Sequence, residues 1–116
     1  MKSKLGDKQR LLHIRDACQN ILTAVEGYTL DRFVENFIVE NAVCNLLMII
    51  GEASNAITSD FKTEHPEFDW KLMKGMRNRI VHEYFGINFE LVFATAKNNI
   101  PSLLENIINV LKDLDK

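Results

Sequence analysis

Apolar residues in this chain recur at helical intervals and nowhere alternate, which confines the fold to a packing of helices. Leu11, Ile14, Cys18, Ile21, Leu22 and Val25 fall three and four residues apart. They line one face of an amphipathic helix from about Asp7 to Glu26, and Gly27 is placed to stop it. Thr29 or Asp31 can cap a long second helix that carries Phe33, Phe37, Ile38, Ala42, Val43, Leu46, Leu47, Ile50, Ala53 and Ile57 to about Ser59, with a bend near Asn36. Its apolar stripe is wide enough for the central member of a bundle.

In "TEHPEFDW", Pro66 forbids helix continuation and Asp69 can cap a third helix from about Trp70 to Glu83, with Met73, Met76 and Ile80 on its core face. Gly86 ends that segment, and Asn88 can cap a fourth helix beginning "FELVFATAKNN". Pro101 either kinks this helix or occupies the first turn of a fifth, capped near Asn99. No segment sustains two-residue alternation, so strands are not expected. The expected fold is all-α, an antiparallel bundle of four to five helices joined by short loops.

A length of 116 residues suits one hydrophobic core, so a single domain over 1–116 is expected to carry the function. The apolar fraction of 47% and charged fraction of 26% exclude a disordered tail or a disulfide scaffold. Cys18 and Cys44 lack metal-ligand or redox spacing and sit among apolar residues, which reads as two small buried hydrophobes in a reducing compartment. Charged residues from Asp7 to Asp16 interrupt any signal-peptide core, and the longest apolar run, Leu46 to Ile50, is too short to cross a bilayer. A cytoplasmic protein without a membrane partner is the expectation.

A net charge of -2 does not favour general polyanion binding, so any nucleic-acid activity must come from a local patch. The third helix supplies one: over residues 69–82, Lys71, Lys74, Arg77 and Arg79 stand against the single carboxylate Asp69. It ends in "RNRIVHEY", residues 77–84. On an ideal helix Asn78 and His82 are about 40° apart and share a face, whereas Arg77 and His82 are about 140° and roughly 7.5 Å apart along the axis. Arg77 and His82 therefore meet only if the helix loosens near His82, if the arginine swings toward the shared face, or if a second copy of the chain supplies the complementary group. Imidazole can move a proton near neutral pH, and guanidinium matches phosphate oxygens. The pair suits cleavage of RNA by its own 2′-hydroxyl, with no metal or cofactor required. A solvated helix flank is the plain alternative.

"RNRIVHEY" resembles the Arg-x4-His-x-Tyr motif of the HepT-like branch of HEPN proteins, the small helical toxins of toxin–antitoxin pairs. "LLHIRDACQNI", "LLMIIGEASNAI", "PEFDWKLMKGMRN" and "YFGINFELVFATAKNNIPSLLENI" resemble the corresponding family segments in order, so the likeness covers nearly the whole chain. The resemblance implies a homodimeric HEPN bundle whose two motifs meet in a metal-independent endoribonuclease site. It also implies an RNA substrate and an MntA-type minimal nucleotidyltransferase antitoxin that transfers AMP to the motif tyrosine. By position, Arg77 becomes the phosphate stabiliser and His82 the general acid or base. Asn78 orients His82 or the phosphate, and Tyr84 is the modification target; the plainer role for Tyr84 is a half-buried anchor of the helix end.

Glu52 interrupts an apolar stripe and can support the site by pairing with Arg77 or Arg79, against a simple exposed position. Arg79 reads as a surface or salt-bridge residue. His13 and His65 read as surface histidines, and Trp70 and the methionines as core or dimer contacts. Two rival functions remain open at this stage: a HEPN module that binds RNA or nucleotide without cutting, and an interaction subunit that only docks a nucleotidyltransferase.

Overall fold

The computed structural model describes residues 4–82 and 86–115, with side chains described throughout except at positions 4, 5 and 79–82. Among these residues there are seven helices and no strand: α1 (Lys4–Val25), α2 (Leu30–Glu35), α3 (Phe37–Ala56), α4 (Ser59–Glu64), α5 (Trp70–His82), α6 (Phe89–Asn98) and α7 (Ile100–Leu114). The five long helices are the expected ones. Two short helices, α2 and α4, are additions to the expected count.

The boundaries follow local chemistry. Gly27 takes φ +75°, the left-handed conformation that stops α1, and lets the Tyr28 N–H bond the Val25 carbonyl at 2.9 Å. Thr29 caps α2 by accepting from the Arg32 N–H. The bend expected near Asn36 is a full break. Asn36 turns extended (φ −112°, ψ 90°), its side chain accepts from the Val39 N–H at 3.1 Å, and its amide donates to the Tyr28 hydroxyl. Asp69 and Asn88 cap α5 and α6 through the N–H groups of Leu72 and Leu91, as expected. Pro101 sits in the first turn of α7, whose N-cap Asn99 makes no side-chain capping bond.

The break at Asn36 corrects one expectation. Phe37, Ile38 and Ala42 were expected to face the core, yet Phe37 and Ile38 are each 68% exposed and Ala42 is exposed as well. Restarting the helix at residue 37 resets its phase, so Val43, Leu47 and Ile50 bury while Phe37 and Ile38 face outward.

α3 is the central member, packed extensively against α1 and α5. The N-terminal half of α1 lies beside the C-terminal end of α3, where buried Asp7 accepts from the Thr58 N–H at 2.9 Å and the Thr58 hydroxyl at 2.7 Å. These two helices therefore run antiparallel. α7 also packs antiparallel to α1, with Lys8 paired to Asp115 at the far end of the chain. Leu11, Ile14, Ile21, Phe33, Ile50, Met73, Ile100 and Ile107 form the fully buried centre.

Phe37–Ala56 is long and apolar enough to cross a membrane by length and composition, with a mean hydropathy of 1.4 over an 18-residue stretch, but 44% of that stretch is buried in the bundle. Being covered from two sides is sufficient reason for such a composition. Cys18 and Cys44 are both buried, as expected. Burial pushes the Cys18 thiol up to about 12; burial, then the Glu40 carboxylate, pushes Cys44 up to about 11.

Candidate functional site

The site rests on the crossing of α3 and α5. Met73 and Met76 are buried and fix the rotation of α5, so Arg77 follows on the edge of the contact with its side chain about one-third exposed. The two backbones approach closely at Gly51. A β-carbon there would overlap the Arg77 β-carbon and lie 2.9 Å from its backbone nitrogen and 3.0 Å from its α-carbon. Glu52, the next residue, is thereby brought beside the Arg77 side chain.

Arg77 donates from Nε to Glu52 Oε1 at 2.7 Å and from Nη1 to Asn78 Oδ1 at 3.1 Å. Guanidinium carries five N–H donors in a planar fork. Two are committed to these anchors, which leaves three without a partner among the described residues. Glu52 thus pairs with Arg77, one of the two partners expected for it. Asn78, which accepts from the guanidinium, shares a helix face with position 82. Its own amide nitrogen has no partner among the described residues.

α5 remains helical through His82, so the helix does not loosen before that residue and the offset between Arg77 and His82 along the helix stands. The side chains of His82 and Arg79 lie outside the described residues, as does the whole of Tyr84; so does the side chain of Ile80, which was expected on the core face. Lys71 and Lys74 are exposed on α5, which keeps the flank basic. Among the described residues no three His, Cys, Asp or Glu side chains converge in the manner of metal ligands.

The remaining expected roles divide. Met73 and Met76 are core residues, and Trp70 is half-buried against Phe61 and Phe68. His65 is not a free surface histidine: it is half-buried, stacks on Phe61 at 4.2 Å, contacts Glu67 through Nδ1 at 3.1 Å, and its carbonyl accepts from Trp70 Nε1. His13 is exposed, as expected, but with Arg10 it lines a groove of about 330 Å³ whose wall includes Glu52. The sequence assigns Gly51 and Arg10 no role at the site and marks His13 only as a surface histidine. Only the glycine had a signal, a residue without a side chain in an otherwise apolar helix directly before Glu52. A larger apolar groove of about 470 Å³ between α5 and α6, lined by Leu47, Leu72, Met76 and Leu91 among others, does not include Arg77.

Comparison with known proteins gives a consistent answer. The family described as Ribonuclease HepT-like matches residues 14–110. A protein of Caldanaerobacter subterraneus subsp. tengcongensis, provisionally named as an RNase, is 32% identical over 102 residues, covering 88% of this chain and 91% of its own. One of Methanocaldococcus jannaschii with the same kind of name is 32% identical over 105 residues, covering 90% and 96%. A Thermococcus cleftensis protein named "Probable ribonuclease HepT" is 38% identical over 96 residues, covering 77% and 87%. No solved structure matches the chain.

Proposed function

The chain belongs to the HepT-like ribonuclease family, and from that premise we propose that it is a metal-independent endoribonuclease, the toxin of a toxin–antitoxin pair, acting through Arg77 and His82. The observation that carries this reading is the state of Arg77: held by Glu52 and Asn78, one-third exposed, with three donors lacking a partner among the described residues, on a helix that also exposes Lys71 and Lys74. A guanidinium so fixed suits the non-bridging oxygens of a phosphodiester, whose charge grows as the 2′-hydroxyl attacks phosphorus. The new P–O2′ bond forms while the P–O5′ bond breaks. His82 takes the hydroxyl proton or protonates the leaving oxygen, and Asn78 orients either His82 or the phosphate.

Because α5 separates Arg77 from His82 along its axis, a site drawing on two subunits fits better than one built within a single chain. The outer seam of α3 favours such a homodimer. Ile38, Ala42 and Asn45 stand four and three residues apart, and all three are exposed. That is the spacing of a helix seam that packs on another helix. It leads along α3 toward the Glu52–Arg77 pair, so two copies that cross beside that pair bring their motifs close together.

The reading extends to regulation. A minimal nucleotidyltransferase antitoxin transfers AMP to Tyr84, two residues past His82, placing bulk and negative charge where RNA phosphate would bind. Toxin and antitoxin meet in the cytoplasm. Purified protein should cut RNA in the presence of EDTA, and His82→Ala should abolish cutting while circular dichroism and the melting transition are retained. Cleavage by that variant at the parental rate would remove His82 from the chemistry.

A further inference from the structure

α1 offers a second wall of hydrogen-bond donors to the same flank of α3. Arg10 and His13, one turn apart, line the groove of about 330 Å³ together with Met48, Ile49, Glu52, Ala53 and Ala56. Glu52 is common to both sides, since Arg77 from α5 holds its carboxylate. Two other basic side chains of α1 are engaged elsewhere, Lys8 with Asp115 and Arg15 with Asp16. Among the described residues Arg10 and His13 have no such partner, and Glu52, already paired, is the sole carboxylate lining the groove.

Two donors above a thioether and a methyl floor present both halves of a nucleotide site. Arginine bonds phosphate oxygens, and histidine donates an N–H in either charge state. Met48 and Ala53 offer apolar surface to a base or ribose. We propose that Arg10 and His13 hold the phosphate of a nucleotide flanking the scissile one, so that single-stranded RNA runs across α3 from Arg77 toward α1. This rests on the reading of Arg77 as the site of RNA cleavage and adds the direction of the strand and a subsite for it.

The test uses the full chain and a fluorescent 2′-O-methyl octanucleotide, which lacks the attacking hydroxyl, titrated at several salt concentrations. Arg10→Gln/His13→Gln should bind roughly tenfold more weakly, as loss of charge-assisted contacts implies. The slope of log K against log salt should flatten by about 0.7 for the lost arginine charge. Arg10→Lys/His13→Gln should recover that slope, which a purely structural role would not do. On cleavable substrates the double variant should raise KM for an octanucleotide far more than for a dinucleotide, which carries no flanking phosphate.

Failure of the two readings can be told apart. If the parent binds but does not cut while the slope still changes as described, the subsite stands and the cleavage reading falls. If the parent cuts and the double variant binds with unchanged affinity and slope, the subsite falls alone. Dissociation of a parental dimer without loss of RNA affinity per dimer would assign Arg10 and His13 to the protein interface and overturn the proposal. Absence of RNA binding by the parent would overturn both.

Discussion

Gly51 of α3 lies directly beneath the backbone of Arg77 of α5: a β-carbon at position 51 would stand 2.9 Å from the arginine nitrogen. Two effects of Gly51→Ala oppose one another. Alanine stabilises a helix interior by about 1 kcal/mol relative to glycine. Overpacking against a neighbouring backbone, which cannot rotate away as a side-chain tip can, costs about 2–3 kcal/mol. The clash wins, so the variant should lose roughly 1–2 kcal/mol in urea unfolding. RNA cleavage should fall further than stability, because α5 and the guanidinium move together.

Replacing Glu52 should separate stability from catalysis. The Arg77–Glu52 pair is 32% and 57% exposed at its two side chains, and pairs in such surroundings contribute about 0–1 kcal/mol. Glu52→Ala should therefore melt close to the parent. It releases Nε of Arg77, so the three remaining donors lose an anchor, while a neutralising charge beside the phosphate disappears. The expected kinetic result is a kcat about tenfold lower with KM unchanged or reduced, as loss of orientation rather than of binding implies. An equal fall in both constants would contradict the anchoring role.

Much of the architecture was legible because capping and periodicity are local. Thr29, Asp69 and Asn88 cap where the sequence places them, and the stripe from Leu11 to Val25 is buried apart from a partly covered Leu22. The phase of α3 was not legible, because a helix that breaks at Asn36 and restarts carries no mark of its new rotation, and Phe37 and Ile38 accordingly turned outward. For the site, residue types named Arg77, Asn78 and Glu52, and the fold joined them. Arg10 and His13 were out of reach, since their relation to Glu52 depends on how α1 docks beside α3.

The buried thiols predict an alkaline limit to stability. In the folded chain Cys18 holds its proton to about 12, whereas the reference thiol ionises near 9.0. Between these values the native state binds more protons than the unfolded state, so stability is fully present below pH 9 and declines as pH rises toward 12. The decline has an upper bound of about 1.4 kcal/mol per pH unit per thiol. Cys18→Ala should lower stability at pH 7 through lost packing, yet flatten the slope of urea midpoints between pH 9 and 11. An identical slope in parent and variant would exclude the thiol as its source.

The contact between Asp7 and Thr58 joins the start of α1 to the cap of α4. The carboxylate accepts both the N–H and the hydroxyl of Thr58, and that hydroxyl oxygen accepts the Phe61 N–H at 3.2 Å. Asp7 is 2% exposed, so its removal strands two donors rather than returning them to water. Asp7→Ala should cost about 2–3 kcal/mol, the range for a buried charged acceptor serving an N-cap. Thr58→Ser keeps every donor and acceptor and should remain close to the parent. Thr58→Val loses the hydroxyl but keeps the backbone N–H bond to Asp7. A double-mutant cycle of Asp7→Ala with Thr58→Val should therefore show a coupling of about 1 kcal/mol in chemical denaturation. Strict additivity would mean that the hydroxyl and the carboxylate act independently, which a separation of 2.7 Å between them does not allow.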